Sequence, residues 1–249
     1  MIHGMWCGGW TWENYIRYFE KLGYRCIAPT LRHHDAKKDD KPHPDLGTTS
    51  LLDYISDLEK EITAFDAPPI IMGHSMGGLL AQLLGSKGLG NALVLLSSAP
   101  PAGVFALKPT VLKSFFSSIT TYGFWKKPIF PTLEEAVYST LHRLPEAEQK
   151  EIYGKFVFES GKAGFEIGFY PFDKKGAAKV DESKVTCPVL VISGKKDRIT
   201  PASVVKKVAE KYKQAEYREF EGFAHWVVGE PGWEKIAGYV AEWLEKNSK

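Results

Sequence analysis

Residues 70–85 read "IIMGHSMGGLLAQLLG", and the rest of the chain is best understood outward from them. An apolar run, Ile70 to Met72, enters Gly73-His74-Ser75-Met76-Gly77, and Leu79, Leu80, Leu83 and Leu84 follow at helical spacing. The pattern is G-x-S-x-G with a strand before it and a helix after it. A serine on so sharp a turn stands clear of both elements, and the flanking glycines leave room for backbones crossing beside it. The helix aims its N-terminal N–H groups at the turn, where developing negative charge is favoured. Ser75 is therefore the candidate nucleophile. The plainer alternative is a glycine-rich turn with an idle serine, and the flanking strand and helix weigh against it.

A serine hydroxyl is a weak nucleophile and needs a base. Of the seven histidines, His225 stands out in "FEGFAHWVVGEP" (220–231), between the last strand-like run and the last amphipathic one. His74 adjoins Ser75, but adjacent side chains on a tight turn diverge. His33, His34 and His43 lie in a charged loop, and His142 lies in a helical region. The base needs a carboxylate, and "VLVISGKKDRITP" (189–201) supplies Asp197 just past an apolar strand. Parallel α/β sheets build their sites at that end of the strands. Asp197 would orient the imidazole and stabilise its charged form. The plainer alternative is a turn-forming aspartate before Pro201. Asp181, Glu182 and Glu221 are weaker rivals.

Outward from these motifs, strand-like and helical patterns alternate. "YRCIAP" (24–29), "PPIIMG" (68–73), "NALVLLSSA" (91–99), "CPVLVISG" (187–194) and "AEYREFEG" (215–222) are the strand candidates. The most continuous apolar runs among them suit strands buried on both faces. Leu51, Leu52, Ile55, Leu58, Ile62 and Phe65 recur at helical spacing, as do Val204, Val205, Val208 and Tyr212, and again Trp233, Ile236, Val240, Trp243 and Leu244. The alternation predicts a doubly wound, mostly parallel sheet. It breaks between Ala102 and Glu182, which reads as helices only, with a capping box at Thr132 and Glu135. The expected division is an α/β core of residues 1–101 and 183–249 with an inserted helical lid, 102–182.

Composition sets the broad class. The 249 residues are 44% hydrophobic and 25% charged, ordinary values for a globular chain. The net charge of +2 contains no basic block, so no nucleic-acid footprint is indicated. Three cysteines do not make a disulfide framework and fit a reducing compartment. No signal-peptide pattern is visible, and the longest apolar stretch, 92–107, is broken by Pro100 and Pro101. A cytoplasmic protein without a stable membrane anchor is expected.

The order Ser75…Asp197…His225 is that of the α/β-hydrolases, which the sequence resembles over nearly its whole length. It looks most like lipase/carboxylesterase and lysophospholipase-like members with a helical lid. "GHSMGG", "GKKDRITP" and "GFAHWV" carry the resemblance. The family also has a His-Gly-x turn that donates one oxyanion-hole N–H. By resemblance that turn is His3-Gly4-Met5 in "MIHGMWCGGW" (1–10), with Met5 one donor and Met76 the other. The resemblance implies a cofactor-free hydrolase that cleaves esters of short or medium acyl chain through an acyl-enzyme on Ser75. Trp6, Phe116 and Trp125 would line a pocket for an apolar acyl or alcohol part. Related enzymes on the same residues stay open: a haloperoxidase-like perhydrolase, a lactonase, a thioesterase or a C–C hydrolase. So does a non-catalytic small-ligand binder.

Two features depart from the family. Relatives carry two or more strands before the His-Gly turn, whereas only Met1 and Ile2 precede it here. Either a native N-terminal segment is absent from this sequence or the sheet is trimmed; if trimmed, "YRCIAP" is an open edge suited to pairing with a second copy, hence a possible homodimer. The loop "LRHHDAKKDDKPHPD" (31–45) gathers His33, His34, Asp35, Asp39, Asp40, His43 and Asp45. Its spacing matches no metal site and its lysines oppose a cation, so a solvated loop without metal is expected.

Overall fold

The apolar runs become a four-stranded parallel sheet of Ile70–His74, Ala92–Leu96, Val189–Gly194 and Ala215–Phe220, side by side in that order. A computed structural model describes residues 1–248. The chain passes through α1 (Glu13–Lys21), α2 (Leu51–Ile62), β1 (Ile70–His74), α3 (Met76–Gly85) and β2 (Ala92–Leu96). It then runs through α4 (Pro109–Ser114), α5 (Phe116–Thr120), β3 (Pro128–Ile129), α6 (Leu133–Ala136), α7 (Glu146–Gly154), β4 (Glu159–Ser160) and α8 (Gly161–Gly168). It returns through β5 (Val189–Gly194), α9 (Ala202–Ala209), β6 (Ala215–Phe220) and α10 (Trp233–Asn247). Every residue of β2 and β5 is buried, which is why both read as unbroken apolar runs. Helix α3 packs on β1 and β2, α9 on β5 and β6, and α1 against α10.

The stretch 24–29 is not a strand. The Met1 nitrogen donates to its Ile27 carbonyl at 2.7 Å. Ile2 bridges instead to Gly73 of β1. The Ile2 N–H donates to the Met72 carbonyl at 2.7 Å, and the His74 N–H donates to the Ile2 carbonyl at 3.1 Å. One residue thus does locally what a strand would do, pinning the following turn to the sheet.

The segment between β2 and β5 is not helical throughout. β3 and β4 pair antiparallel in a two-stranded ribbon. Its hold on the rest of the chain is polar and buried. Glu159 accepts from Tyr54 Oη at 2.7 Å and contacts His34 Nε2 at 3.0 Å, and His34 Nδ1 faces the Arg32 carbonyl at 2.9 Å. With an acceptor at each ring nitrogen, His34 favours the imidazolium. Burial opposes that charge, but attraction and hydrogen bonding from Glu159 outweigh it and raise the His34 pKa. Glu166, fully buried, accepts from Ser50 Oγ and the Leu51 N–H, both at 2.8 Å, at the N-terminus of α2.

His34 therefore corrects the expectation of a wholly solvated 31–45 loop: it is 3% exposed and part of the core. His33 stacks on His43 with ring centres 3.9 Å apart. Among the described residues, no group of three or more His, Cys, Asp or Glu is arranged to hold a metal ion. No described helix is long and apolar enough to cross a membrane.

Candidate active site

Ser75 joins β1 to α3 with φ 55° and ψ −121°. Left-handed backbone at a non-glycine residue costs about 1–3 kcal/mol and persists only where its surroundings impose it. Here the Ser75 N–H donates to the Leu96 carbonyl at 3.0 Å, and the Ser75 carbonyl accepts from the Ala99 N–H at 2.8 Å. The last residue of β2 and the loop just after it thus clamp the turn on both sides. Gly77 explains the remaining sequence requirement: any side chain there would collide with the Ile2 and His3 carbonyls. Its absence lets the His3–Gly4–Met5 loop cross the start of α3.

That loop is held at several points. The Leu31 N–H donates to His3 Nε2 at 3.0 Å, and His3 Nδ1 donates to the Gly4 carbonyl at 2.8 Å. Burial takes the His3 pKa down to about 3, so the ring stays neutral and supports the loop. Trp6 is also left-handed, φ 64°, and its carbonyl accepts from Val157 of the inserted segment at 2.9 Å. The Met5 N–H meets no acceptor among the described residues. Met76 is the first residue of α3, so its N–H has no intrahelical acceptor. The two donors expected from the resemblance therefore lie on adjoining, immobilised backbones.

His225 follows β6 and is 3% exposed. Its Nδ1 donates to Asp197 Oδ2 at 2.8 Å. That bond fixes the tautomer and leaves Nε2 as the lone-pair nitrogen. Asp197 follows β5; its Oδ1 accepts from the Ile199 and Thr200 N–H groups at 2.9 and 2.8 Å. Thr200 Oγ1 lies 2.8 Å from Asp197 Oδ2, 3.1 Å from His225 Nδ1 and 2.9 Å from the carbonyl of Ser97. Ser97 is again left-handed, φ 44°. The rival carboxylates are elsewhere: Asp181 pairs with Lys184, Glu182 with Lys211 and Glu221 with Lys195.

His74 has a different task from His225. Its Nε2 donates to the His225 carbonyl at 2.8 Å, and burial takes its pKa down to about 3. It braces the His225 backbone as a neutral ring. Ser75 and His225 face one small cavity together with Met5, Trp6 and Cys7. Burial pushes the Cys7 thiol up to about 12, so it stays protonated and is no rival nucleophile. On its other side Ser75 opens into a larger apolar cavity.

The structure reassigns two aromatic residues. Phe116 is 62% exposed and Trp125 36% exposed, and neither lines a cavity beside Ser75. Their neighbours Phe115 and Phe124 do. Phe115 sits at the break between α4 and α5, and Phe124 opens a 3-10 turn, where adjacent residues point about 120° apart. Trp6 does reach the site, its ring tilted against that of Phe115 with ring centres 5.4 Å apart.

Sequence reasoning passed over Thr200 and Glu230. Glu230 lies 1% exposed behind His225 and accepts from the Ala224 N–H at 2.8 Å. Burial raises its pKa from the usual 4.5 to about 7. The native state thus keeps a proton that the unfolded chain releases across that window. The stability this group contributes is complete below about pH 4.5 and is lost as pH rises to about 7. The shift corresponds to about 3 kcal/mol. Glu230→Gln, which keeps an acceptor for Ala224, should flatten that decline in urea unfolding between pH 5 and 8 (about three units across the shifted range). An unchanged slope would contradict the assignment.

The site's geometry is now joined by likeness to known proteins. Residues 1–233 match the model of the alpha/beta hydrolase family. The chain belongs to that family. It is 27% identical over 261 residues to a non-heme chloroperoxidase of Kitasatospora aureofaciens, covering 98% of this chain and 91% of that protein. Its fold superposes on an Arabidopsis methylesterase with a TM-score of 0.73 at 12% identity, covering 98% of each chain. It also superposes on a monoacylglycerol lipase of Paleococcus ferrophilus, TM-score 0.71 at 23% identity, covering 98% of this chain and 91% of that one. These structures show the shared hydrolase fold.

Proposed function

We propose that this hydrolase cleaves carboxylic esters of short or medium acyl chain through an acyl-enzyme on Ser75. One observation carries the reading: a strained serine shares a cavity with an imidazole whose Nδ1 proton is held by a buried aspartate. His225 Nε2 takes the Ser75 proton as Oγ bonds to the ester carbonyl carbon. The carbonyl oxygen gains negative charge, and the N–H groups of Met5 and Met76 stabilise it. His225 then protonates the leaving alcohol as the C–O bond breaks. Water repeats the sequence, giving its proton to His225 and its oxygen to the acyl carbon, and Ser75 is restored. No cofactor is required. Residues 102–182 act as a lid over the core of 1–101 and 183–249.

The esterase and lipase likenesses support this reading, and the chloroperoxidase likeness supports a second outcome for the same acyl-enzyme. There hydrogen peroxide replaces water: it gives a proton to His225 and bonds through oxygen to the acyl carbon, the bond to Ser75 Oγ breaks, and the acyl group leaves as a peracid while Ser75 regains its proton. The test is a panel of alkyl esters, thioesters and lactones, with and without peroxide, each run beside Ser75→Ala. Ester turnover that vanishes in Ser75→Ala is expected. Esters left untouched while peracid or thioester products form would replace this reading, and ligand binding with no turnover would point to a binder.

A further inference from the structure

Resting on that reading, we propose that the preferred substrate joins a medium-length apolar acid to a small alcohol, and that each part has its own cavity. The two cavities meet at Ser75. The larger is bounded by Val104, Val111, Phe115, Phe124 and Ile167, among other apolar residues. The smaller is bounded by Cys7, Thr140, Phe156, His225 and Trp226. His225 lines the small cavity and not the large one.

Proton transfer decides which part goes where. When the acyl C–O bond breaks, the electron pair stays on the alcohol oxygen, and that oxygen takes its proton from His225. The alcohol must therefore leave on the side where His225 stands, through the small cavity. The acyl chain, bonded to Ser75, is left the large one. Water then enters where the alcohol was, again beside His225. An ester with a bulky alcohol and a short acid would place its hydrocarbon against Phe156 and Trp226 and leave the apolar cavity empty.

The large cavity owes its room to the lid helix α8. Gly164 and Gly168 lie one turn apart on it and both line the cavity. A Cβ at Gly168 would meet nothing within 4 Å, and one at Gly164 would stand 3.4 Å from Ile129 and 3.5 Å from Met5. Gly161, on the same helix, differs: a side chain there would collide with the Phe124 carbonyl, so it serves packing. Glycine is disfavoured inside helices. Gly164 and Gly168 have no such collision to require them, and the space they leave is where an acyl tail would lie.

Methyl octanoate and heptyl acetate are constitutional isomers and separate the two arrangements without changing total hydrocarbon. The purified full chain, followed by pH-stat titration, should show a kcat/KM at least about tenfold higher for methyl octanoate. Gly168→Phe should lower the octanoate-to-propionate ratio of methyl esters by about tenfold. Gly168→Leu, a gentler change, should move it the same way. Equal rates for the isomers, a preference for heptyl acetate, or an unchanged ratio in folded variants would overturn the two-cavity assignment. Turnover of neither isomer above Ser75→Ala would instead overturn the ester reading, and this inference with it.

Discussion

Ser75→Ala is expected to lower kcat about 10⁶-fold, the scale seen when the nucleophile of a serine hydrolase is removed. The substitution deletes only Oγ. Among the hydrogen bonds that hold the turn, the Ser75 N–H to Leu96 and the Ser75 carbonyl to Ala99 are both backbone. The elbow should therefore keep its shape, and circular dichroism and urea midpoint should stay close to the parent's. Initial rates on methyl octanoate measure the loss. A folded variant with more than about a hundredth of the parent rate would exclude Ser75 as nucleophile, since the remaining donors and binding cannot supply so much.

Asp197→Asn should cost about 10⁴-fold in kcat with little change in fold. The direction follows from the hydrogen bonds around the carboxylate. Oδ1 accepts from two backbone N–H groups, those of Ile199 and Thr200. An asparagine must keep its oxygen there, so its NH₂ turns to the position of Oδ2, opposite His225 Nδ1. That nitrogen can then only accept, and the ring proton moves to Nε2, the atom that must take the serine proton. Thr200 Oγ1, 3.1 Å from Nδ1, does not offset this, because it can itself donate. The loss should appear in kcat far more than in KM, because the cavities are untouched. A variant with near-parent kcat would show that Asp197 is a turn residue and no partner of the base.

How much of this was legible in the sequence depends on how local each signal is. The Ser75 turn was legible because its strand, glycines and helix are contiguous. Asp197 and His225 were legible because each follows an apolar run at the same end of a parallel sheet. The anchors of the inserted segment were not: His34 and Glu159 meet across 125 positions, and neither sits in a periodic pattern. The cavity aromatics were missed by one residue each. In "FF" at 115–116 and "FW" at 124–125 composition is equal, and the side that faces inward is set by a helix break and a 3-10 turn. "YRCIAP" has strand-like composition, but residues 24–29 form no ladder. Ile2, bridged to Gly73, and His3, bonded to Leu31, hold the loop that carries Met5 beside the serine.

The most direct measurement is covalent. The full chain is incubated with an alkyl phosphonate bearing a nitrophenol leaving group, and intact mass and peptide mapping follow. One adduct per chain on the peptide containing Ser75, with one equivalent of nitrophenol released and none from Ser75→Ala, is the expected result. Labelling at another residue, or a parent chain that stays unlabelled while it hydrolyses esters, would contradict an acyl-enzyme on Ser75.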